Sequence, residues 1–431
     1  MSDDQFDAIV VGAGCAGAVA AYRLASAGRS VLVVERGNYA GAKNMTGGRI
    51  YTHALARVFP DFEGSAPLQR RITHEKISMA APDALFTMDF TADELRESGK
   101  DSYAVLRGHF DQWLAERAEE AGADFIYGIA VEDLIVRDGR VCGVVAGGDE
   151  VEARITVLAD GANSLLAQKA GLADDVPLPC QMAVGAKETI ALPPSVIEDR
   201  FLCAPGEGAA WMFAGDCTKG RVGGGFLYTN DDSISLGLVA TLSDLAAGDV
   251  PIYQMLEDFK QRADIAPLVK GGELVEYSGH LVPEGGLAMV PRLYGDGVLV
   301  CGDAAMLCMN LGYSVRGMDF AVSSGDLAAD AVMRALEADD VSAAQLAAYE
   351  QLLDGCYVLQ DLKRFRRFPR YMEETTRIFN EYPAMARDIM LNLFKVDGHP
   401  QARIKDKLLG PLKRVGLWRV AQDGRKGMKA L

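Results

Sequence analysis

Residues 6–35 constrain the folding of this chain more than any other stretch. Phe6-Asp7-Ala8-Ile9-Val10-Val11 is a nearly continuous apolar run, which suits a parallel strand buried on both faces. Gly12-Ala13-Gly14-Cys15-Ala16-Gly17 follows at once. Residues 18–27 are rich in Ala and Leu at helical spacing, and Gly28 stands where a helix C-cap belongs. A second apolar run, Ser30 to Val34, ends in Glu35. Strand, glycine turn, helix, strand and acid have the order and spacing of a dinucleotide-binding βαβ unit. Gly12 permits the tight turn, Gly14 lets backbone N–H groups approach a pyrophosphate, and Gly17 lets helix and strand pack closely. The helix N-terminus adds partial positive charge. Glu35 accepts hydrogen bonds from a ribose diol and repels a phosphorylated ribose. Cys15, inside the phosphate turn, reads as a small filler rather than a nucleophile.

This unit fits NAD and FAD alike, so later segments decide. Residues 151–161 read as an apolar strand closed by Ala159-Asp160-Gly161. Residues 296–305 read as another buried strand, ending in Gly302-Asp303-Ala304. A nicotinamide fold needs neither, whereas the ribityl chain and pyrophosphate of a flavin nucleotide extend past the first turn, where a strand-end Asp binds hydroxyls.

The glycine turn, Arg107 with Phe110-Asp111 and Leu114, Ala159-Asp160-Gly161 with Ser164, and Gly302-Asp303-Ala304 resemble the flavoprotein group of p-hydroxybenzoate hydroxylase and geranylgeranyl reductase. Within it, several segments are similar to FixC and the electron transfer flavoprotein to quinone oxidoreductases. They are Glu35-Arg36-Gly37, the run Gly41 to Arg49 that includes Thr46, Gly223 to Asn230, Pro283 to Gly286, and Asn310-Leu311-Gly312 before Arg316 to Asp319. The likeness spans nearly the whole chain. It implies an α/β fold: a Rossmann-like FAD-binding domain of the p-hydroxybenzoate hydroxylase type, an antiparallel sheet forming a substrate domain, and a helical C-terminal region.

Carried over by residue, it implies FAD held by Gly12, Ala13, Gly14, Ala16, Gly17, Glu35, Arg36, Arg107, Val131, Asp160, Gly161, Gly302, Asp303 and Gly312. Asp160 also reads as a turn residue capping the next helix, and Arg107 as one half of a helix-start salt bridge. At the flavin's reactive end, Gly312 precedes a helical pattern over roughly 317–336, whose N-terminus would stabilise a reduced, anionic flavin. Asn310, Leu311 and Gly312 are expected to pass that edge. Gly47, Gly48 and Arg49 are placed on the loop after the second strand, with Arg49 beside flavin or substrate, or else solvated in a surface turn. His280, Pro283 and Glu284 are candidates on the quinone side, against a plain loop carrying a satisfied histidine.

Missing features narrow the chemistry. No second strand–glycine–helix fingerprint occurs, since Gly220 and Gly223 to Gly225 lie in a sheet-like stretch. The eight cysteines (15, 142, 180, 203, 217, 301, 308 and 356) include no C-x-x-C pair, which argues against a disulfide reductase and a local iron–sulfur site. The five histidines join no cluster at metal-ligand spacing, so no metal site is expected. The flavin must therefore do the redox work. The resemblance implies electrons arriving from an electron transfer flavoprotein, the FixA and FixB pair, and leaving to a membrane quinone. It implies an electron-bifurcating FixABCX-like complex that oxidises NADH and is linked to nitrogen fixation. Longer relatives bind a 4Fe-4S centre through C-terminal cysteines. This chain has none beyond Cys356, so the cluster would come from a ferredoxin-like FixX. Rival readings are a geranylgeranyl-type reductase of isoprenoid double bonds and a non-catalytic flavin-bearing scaffold.

At 49% hydrophobic and 24% charged residues, the 431-residue chain is neither disordered nor collagen-like, and its net charge of −16 disfavours nucleic acid. The flavin motifs fall in 1–80, 103–172 and 287–345. Residues 81–102 and 173–286 carry sheet-like alternation, and 346–431 look helical. Residues 363–431 hold 17 Lys/Arg against 7 Asp/Glu. Lys363 to Phe368 mixes aromatic and basic side chains, and residues 408–420 set Leu, Val and Trp418 among cations. Such a tail fits an anionic lipid surface, the ferredoxin-like partner, or simple packing on its own acidic body. An acidic start, Met1 to Asp4, and an apolar stretch of only 15 residues before Arg23 argue against a signal peptide and a spanning helix. The expected location is cytoplasmic, peripheral on the inner face of the inner membrane.

Overall fold

The computed structural model describes residues 5–45, 47–173 and 176–431; Met1 to Asp4 and Thr46 lie outside the described residues. The apolar run at the start forms the central strand Phe6–Val11. It pairs in parallel with Val31–Glu35 on one side and Asp149–Leu158 on the other. Val298–Val300 continues the parallel sheet beyond Asp149–Leu158, and Asp124–Tyr127 beyond Val31–Glu35. Tyr294–Gly295 and the hairpin Val131–Arg137/Arg140–Ala146 complete eight strands. Ile9, Val10, Val33, Val157 and Leu299 are fully buried, as expected of a parallel strand covered on both faces; each such side chain stabilises the fold by roughly 1.5–3 kcal/mol. Helices Cys15–Ser26 and Met318–Glu337 pack against each other beside this sheet, and Arg107–Glu120 packs on the former. The long helix starts one residue later than the sequence pattern suggests, with Gly317 as its N-cap.

The second sheet has nine strands. Its order is Glu273–Pro283, Met182–Ala191, Ser233–Thr241, Gly223–Thr229, Glu207–Gly215, Leu68–Ala81, Ser102–Val105 and Gly48–Tyr51, with Ala84–Phe90 hydrogen-bonded to Leu68–Ala81. All pairs are antiparallel except Glu207–Gly215 against Leu68–Ala81. The sheet therefore recruits chain from both sides of residues 80 and 103. Gly48 and Arg49, expected on a loop, instead open a strand that pairs with Ser102–Val105. Because side chains alternate across a strand, one face of this sheet carries Trp211, Phe213, Leu227, Leu236 and Leu238 into a core closed by Phe201 and Phe259. The opposite face looks toward the parallel-sheet half.

Helices Ala348–Asp354, Tyr357–Arg364, Phe368–Glu374, Glu381–Phe394, Ile404–Val415 and Leu417–Ala430 form the C-terminal region. Arg377 and Tyr382 converge on the buried carboxylate of Asp423, tying its last helix to the rest.

Candidate flavin site

A cavity of about 1170 Å³ runs from the first glycine turn to the open face of the second sheet, above the roughly 300–1,000 Å³ of ordinary small-molecule pockets. At one end, backbone builds it. Gly12 has φ +98°, and a Cβ there would lie 2.5 Å from the Ala159 carbonyl oxygen. A Cβ on Gly17 would lie 2.0 Å from the Gly12 carbonyl oxygen. Helix Cys15–Ser26 can therefore meet the strand ends only with glycine at both positions. Glu35 lines the cavity and accepts N–H bonds from Ala13 (2.8 Å) and Gly37 (2.6 Å). A carboxylate offers about four lone-pair sites, so capacity remains for a ribose diol. Ala13 thus acts through Glu35 and does not line the cavity, whereas Gly12, Gly14, Ala16, Arg36 and Val131 do.

Further in, the two Asp-bearing motifs meet. Ser164 Oγ donates to the Ala304 carbonyl (2.6 Å), joining the segment after Ala159-Asp160-Gly161 to Gly302-Asp303-Ala304. Asp160 and Gly161 line the cavity. The Asp160 Oδ1 atom is buried without a hydrogen-bond partner among the described residues, and burial pushes its carboxyl pKa up. Asp303 also lines the cavity. Burial raises its carboxyl pKa, opposed by the charges of Arg107 and His280. The unpaired buried acceptor of Asp160 calls for a donor, which a ligand hydroxyl could supply. Arg107 starts its helix and grips Asp111 through two 2.8 Å bonds; it makes the helix-start salt bridge and lines the cavity beside Gly14. Gly302 does not line the cavity: it has φ +62°, its N–H donates to Ser324 Oγ, and a Cβ would lie 2.8 Å from the Ala16 Cβ. Gly17 and Gly302 thus set packing distances around the site.

At the other end, Asn310 and Gly312 line the cavity on a short hairpin, Met309–Asn310 against Val315–Arg316, that leads to the helix at Met318. Leu311 is turned away and 5% exposed, its side chain in the hydrophobic core. Gly48 and Arg49 line the cavity too. Arg49 is not the solvated turn residue of one sequence reading: its side chain is 8% exposed and pairs with Glu75, while Nε donates to Ser102 Oγ (2.9 Å). His280 is in a strand rather than a loop, and it faces the cavity with Glu284. Pro283 lies behind them, its carbonyl accepting the Cys308 thiol. Glu284 accepts from Asn310 Nδ2 (3.3 Å), and burial pushes its carboxyl pKa up to about 7.

Sequence reasoning passed over Lys187 and Glu75. The readable signal at 187 was the polar Lys187-Glu188-Thr189 inside the strand Met182–Ala191, whose remaining residues are apolar or glycine.

Known proteins are similar to this chain in sequence and in fold. The description ETF-QO/FixC family C-terminal domain matches residues 368–431, and FAD dependent oxidoreductase matches residues 7–86. The chain is 50% identical over 433 residues to the "Probable electron transfer flavoprotein-quinone oxidoreductase YdiS" of Escherichia coli, with both chains covered in full. It is also 50% identical to the Escherichia coli "Protein FixC", again with full coverage of both. A solved geranylgeranyl bacteriochlorophyll reductase-like protein from Thermoplasma acidophilum superposes with a TM-score of 0.71 at 18% identity, covering 97% of this chain and 99% of that one. The myxobacterial FAD-dependent halogenase CndH superposes at 0.62 and 17% identity, covering 98% and 91%. At such identities these two structures share the fold.

Proposed function

The chain belongs to the ETF-QO/FixC family of FAD-dependent oxidoreductases, and from that premise we propose that it carries electrons from an electron transfer flavoprotein to a membrane quinone. In this reading it is the FixC-like subunit of a bifurcating complex linked to nitrogen fixation, with FixA/FixB-like donors and a ferredoxin-like FixX bringing the iron–sulfur cluster. The observation that carries the reading is the single cavity reaching from the Glu35 end to Glu284 and Asn310. It joins the glycine turn to the second sheet and is bordered by Pro369, Arg370 and Met372 of the C-terminal helices.

Bound FAD supplies the redox chemistry, accepting and releasing electrons singly or in pairs. The chain's own residues do the rest. Gly12, Gly14 and the helix after them receive the pyrophosphate, Glu35 orients the adenosine ribose, and Asp160, Asp303 and Arg107 hold the middle of the molecule. Asn310 and Gly312 present backbone at the reactive edge, while Gly48 keeps a ring face clear of side chain. His280, Pro283 and Glu284 form the acceptor side. With its carboxyl titrating near neutrality, Glu284 is suited to give a proton to a quinone oxygen there. Among the described residues no helix is long and apolar enough to cross a membrane. Phe394, Val396, Ile404 and Trp418, all more than two-thirds exposed, sit among lysines and arginines as in helices that lie on lipid headgroups, which supports a peripheral location on the inner membrane.

The test is direct. The FAD-loaded protein is mixed anaerobically with an NADH-charged electron transfer flavoprotein and then with a soluble quinone. Bleaching and return of its flavin absorbance are expected. Failure to bleach contradicts the reading. Saturation of an isoprenoid chain assigns the reductase chemistry instead, and partner binding without quinone turnover leaves a scaffold.

A further inference from the structure

Lys187 has no part in the assignments above, yet it is the most unusual group near the cavity. It is fully buried. Among the described residues no carboxylate pairs with it, and its one hydrogen bond is from Nζ to the Gly47 carbonyl oxygen (3.2 Å). A buried lysine held by a single carbonyl keeps two N–H groups unmatched when charged.

Strand register shows which way it faces. Lys187 lies opposite Ser278 and Gly237, Gly185 opposite His280 and Val239, and Ala183 opposite Val282 and Thr241. Opposite residues share a face. The rows of residues 183 and 185 line the cavity through Ala183, Val239, Thr241, His280 and Val282. Lys187 therefore lies on the same face one row beyond the lined floor, buried beneath the loop at Gly47. The cofactor-side loop lies on that floor: a Cβ on Gly185 would meet Met45 Cε at 3.4 Å, and one on Gly47 would lie 2.9 Å from Lys187 Nζ. Gly47, at φ +78°, admits the lysine where any side chain would collide with it.

We propose that Lys187 is the charge-balancing group of the flavin cavity, a neutral amine that becomes an ammonium when an electron pair enters. Two electrons arriving with one proton leave one negative charge in the cavity. A second proton, drawn from solvent onto Lys187 Nζ, cancels it. The proposal rests on the FAD site and not on the identity of donor or acceptor. Burial lowers the lysine pKa to about 7, so both forms are accessible near neutrality. Polar groups lead from Lys187 toward the sheet edge, without hydrogen bonds joining them among the described residues. One row further, Thr189 lies opposite Glu276, and the hydroxyls of Ser278 and Thr189 are buried without partners among the described residues. Glu276 is half-buried on the edge strand, where it meets solvent. The charged and titratable groups that face Lys187 are Glu276, which favours the ammonium, Arg107, which opposes it, and His280 and Tyr228 on the neighbouring strands of the same floor.

The test is the pH dependence of the flavin midpoint potential in the FAD-loaded full chain, read by spectroelectrochemistry between pH 6 and 9, together with FAD affinity. The wild type is expected to take up two protons per electron pair near neutrality. With Glu284→Gln in both proteins, so that this second near-neutral group is removed, Lys187→Met should take up one across the whole range, halving the slope. Lys187→Arg, whose guanidinium stays charged, should also take up one, but with a higher potential than Lys187→Met at every pH. His280→Gln should keep the wild-type slope. A slope of one proton per pair in the wild type overturns the proposal whether or not the variants fold. So does an unchanged slope in Lys187→Met, or a halved one in His280→Gln alone.

Discussion

The two ends of the cavity are built by opposite means. At the glycine-turn end the site is mostly backbone: glycines at 12, 14 and 17, a helix N-terminus, and one carboxylate, Glu35, whose oxygens are held by the N–H groups of Ala13 and Gly37. At the mixed sheet the site is side chain: Lys187, the Arg49–Glu75 pair, His280 and Glu284, buried charges and near-neutral titrating groups on a sheet face. In the proposed reading the first end recognises a ligand part whose shape and charge are fixed, and rigid donors suit it. In the same reading the second tolerates a change of charge, which takes groups that titrate or are balanced in pairs.

The largest effect is expected at the backbone end. Gly17→Ala puts its Cβ 2.0 Å from the Gly12 carbonyl oxygen, which drives the helix off the strand. FAD affinity should fall about 100-fold or more, roughly 3 kcal/mol, read from the flavin-to-protein absorbance ratio after gel filtration. Retention of full flavin would show that the glycine turn is not what sets this end. At the other end, Arg49→Met strands Glu75 and should cost about 3 kcal/mol in denaturant unfolding. Adding Glu75→Met should recover most of that, whereas two additive losses would mean the pair is not coupled.

A pH effect comes next. The Glu284 carboxyl titrates near 7 when folded and near its ordinary 4.5 when unfolded. Below about 4.5 both states hold the proton; as pH rises toward 7 only the unfolded state releases it, so stability is lost across that window. Glu284→Gln should abolish this loss and gain on the wild type by on the order of 2 kcal/mol between pH 5 and 8. Equal slopes in the two proteins would contradict the burial argument. Glu35→Gln, which keeps an acceptor but loses the charge, should weaken FAD binding about tenfold, roughly 1.4 kcal/mol, with no change in the potential's pH slope. The smallest effect on stability belongs to Trp418→Ala at the exposed tail, within about 0.5 kcal/mol. The same change should reduce sedimentation with anionic vesicles if the tail lies on lipid.

What the amino-acid order made legible follows the same division. The strand, turn, helix and acid of residues 6–35 could be read directly, because backbone requirements leave glycines at fixed spacing. The Asp of each later strand end could be read too, as could the long helix after Gly317. The mixed sheet was harder. Gly48 and Arg49 looked like loop because a four-residue strand carries little periodicity, and its partner Ser102–Val105 lies some fifty residues on. The parallel pairing of Glu207–Gly215 with Leu68–Ala81 has no local signature at all. Leu311 was placed at the flavin edge by its neighbours in sequence, but the hairpin turns it into the core. Lys187 escaped notice because its significance depends on two neighbouring strands and a loop placing Ser278, Gly237 and Gly47 around it, which no single segment announces.

That one cavity, half backbone and half side chain, holds the whole flavin nucleotide is checked by a crystal structure of the protein with FAD. The adenosine ribose is expected on Glu35, hydroxyls on Asp160 and Asp303, and the isoalloxazine in van der Waals reach of Gly48 and Gly312 above the Lys187 face. A ring system lying outside the space between the two sheets would show that the cavity does not hold the flavin.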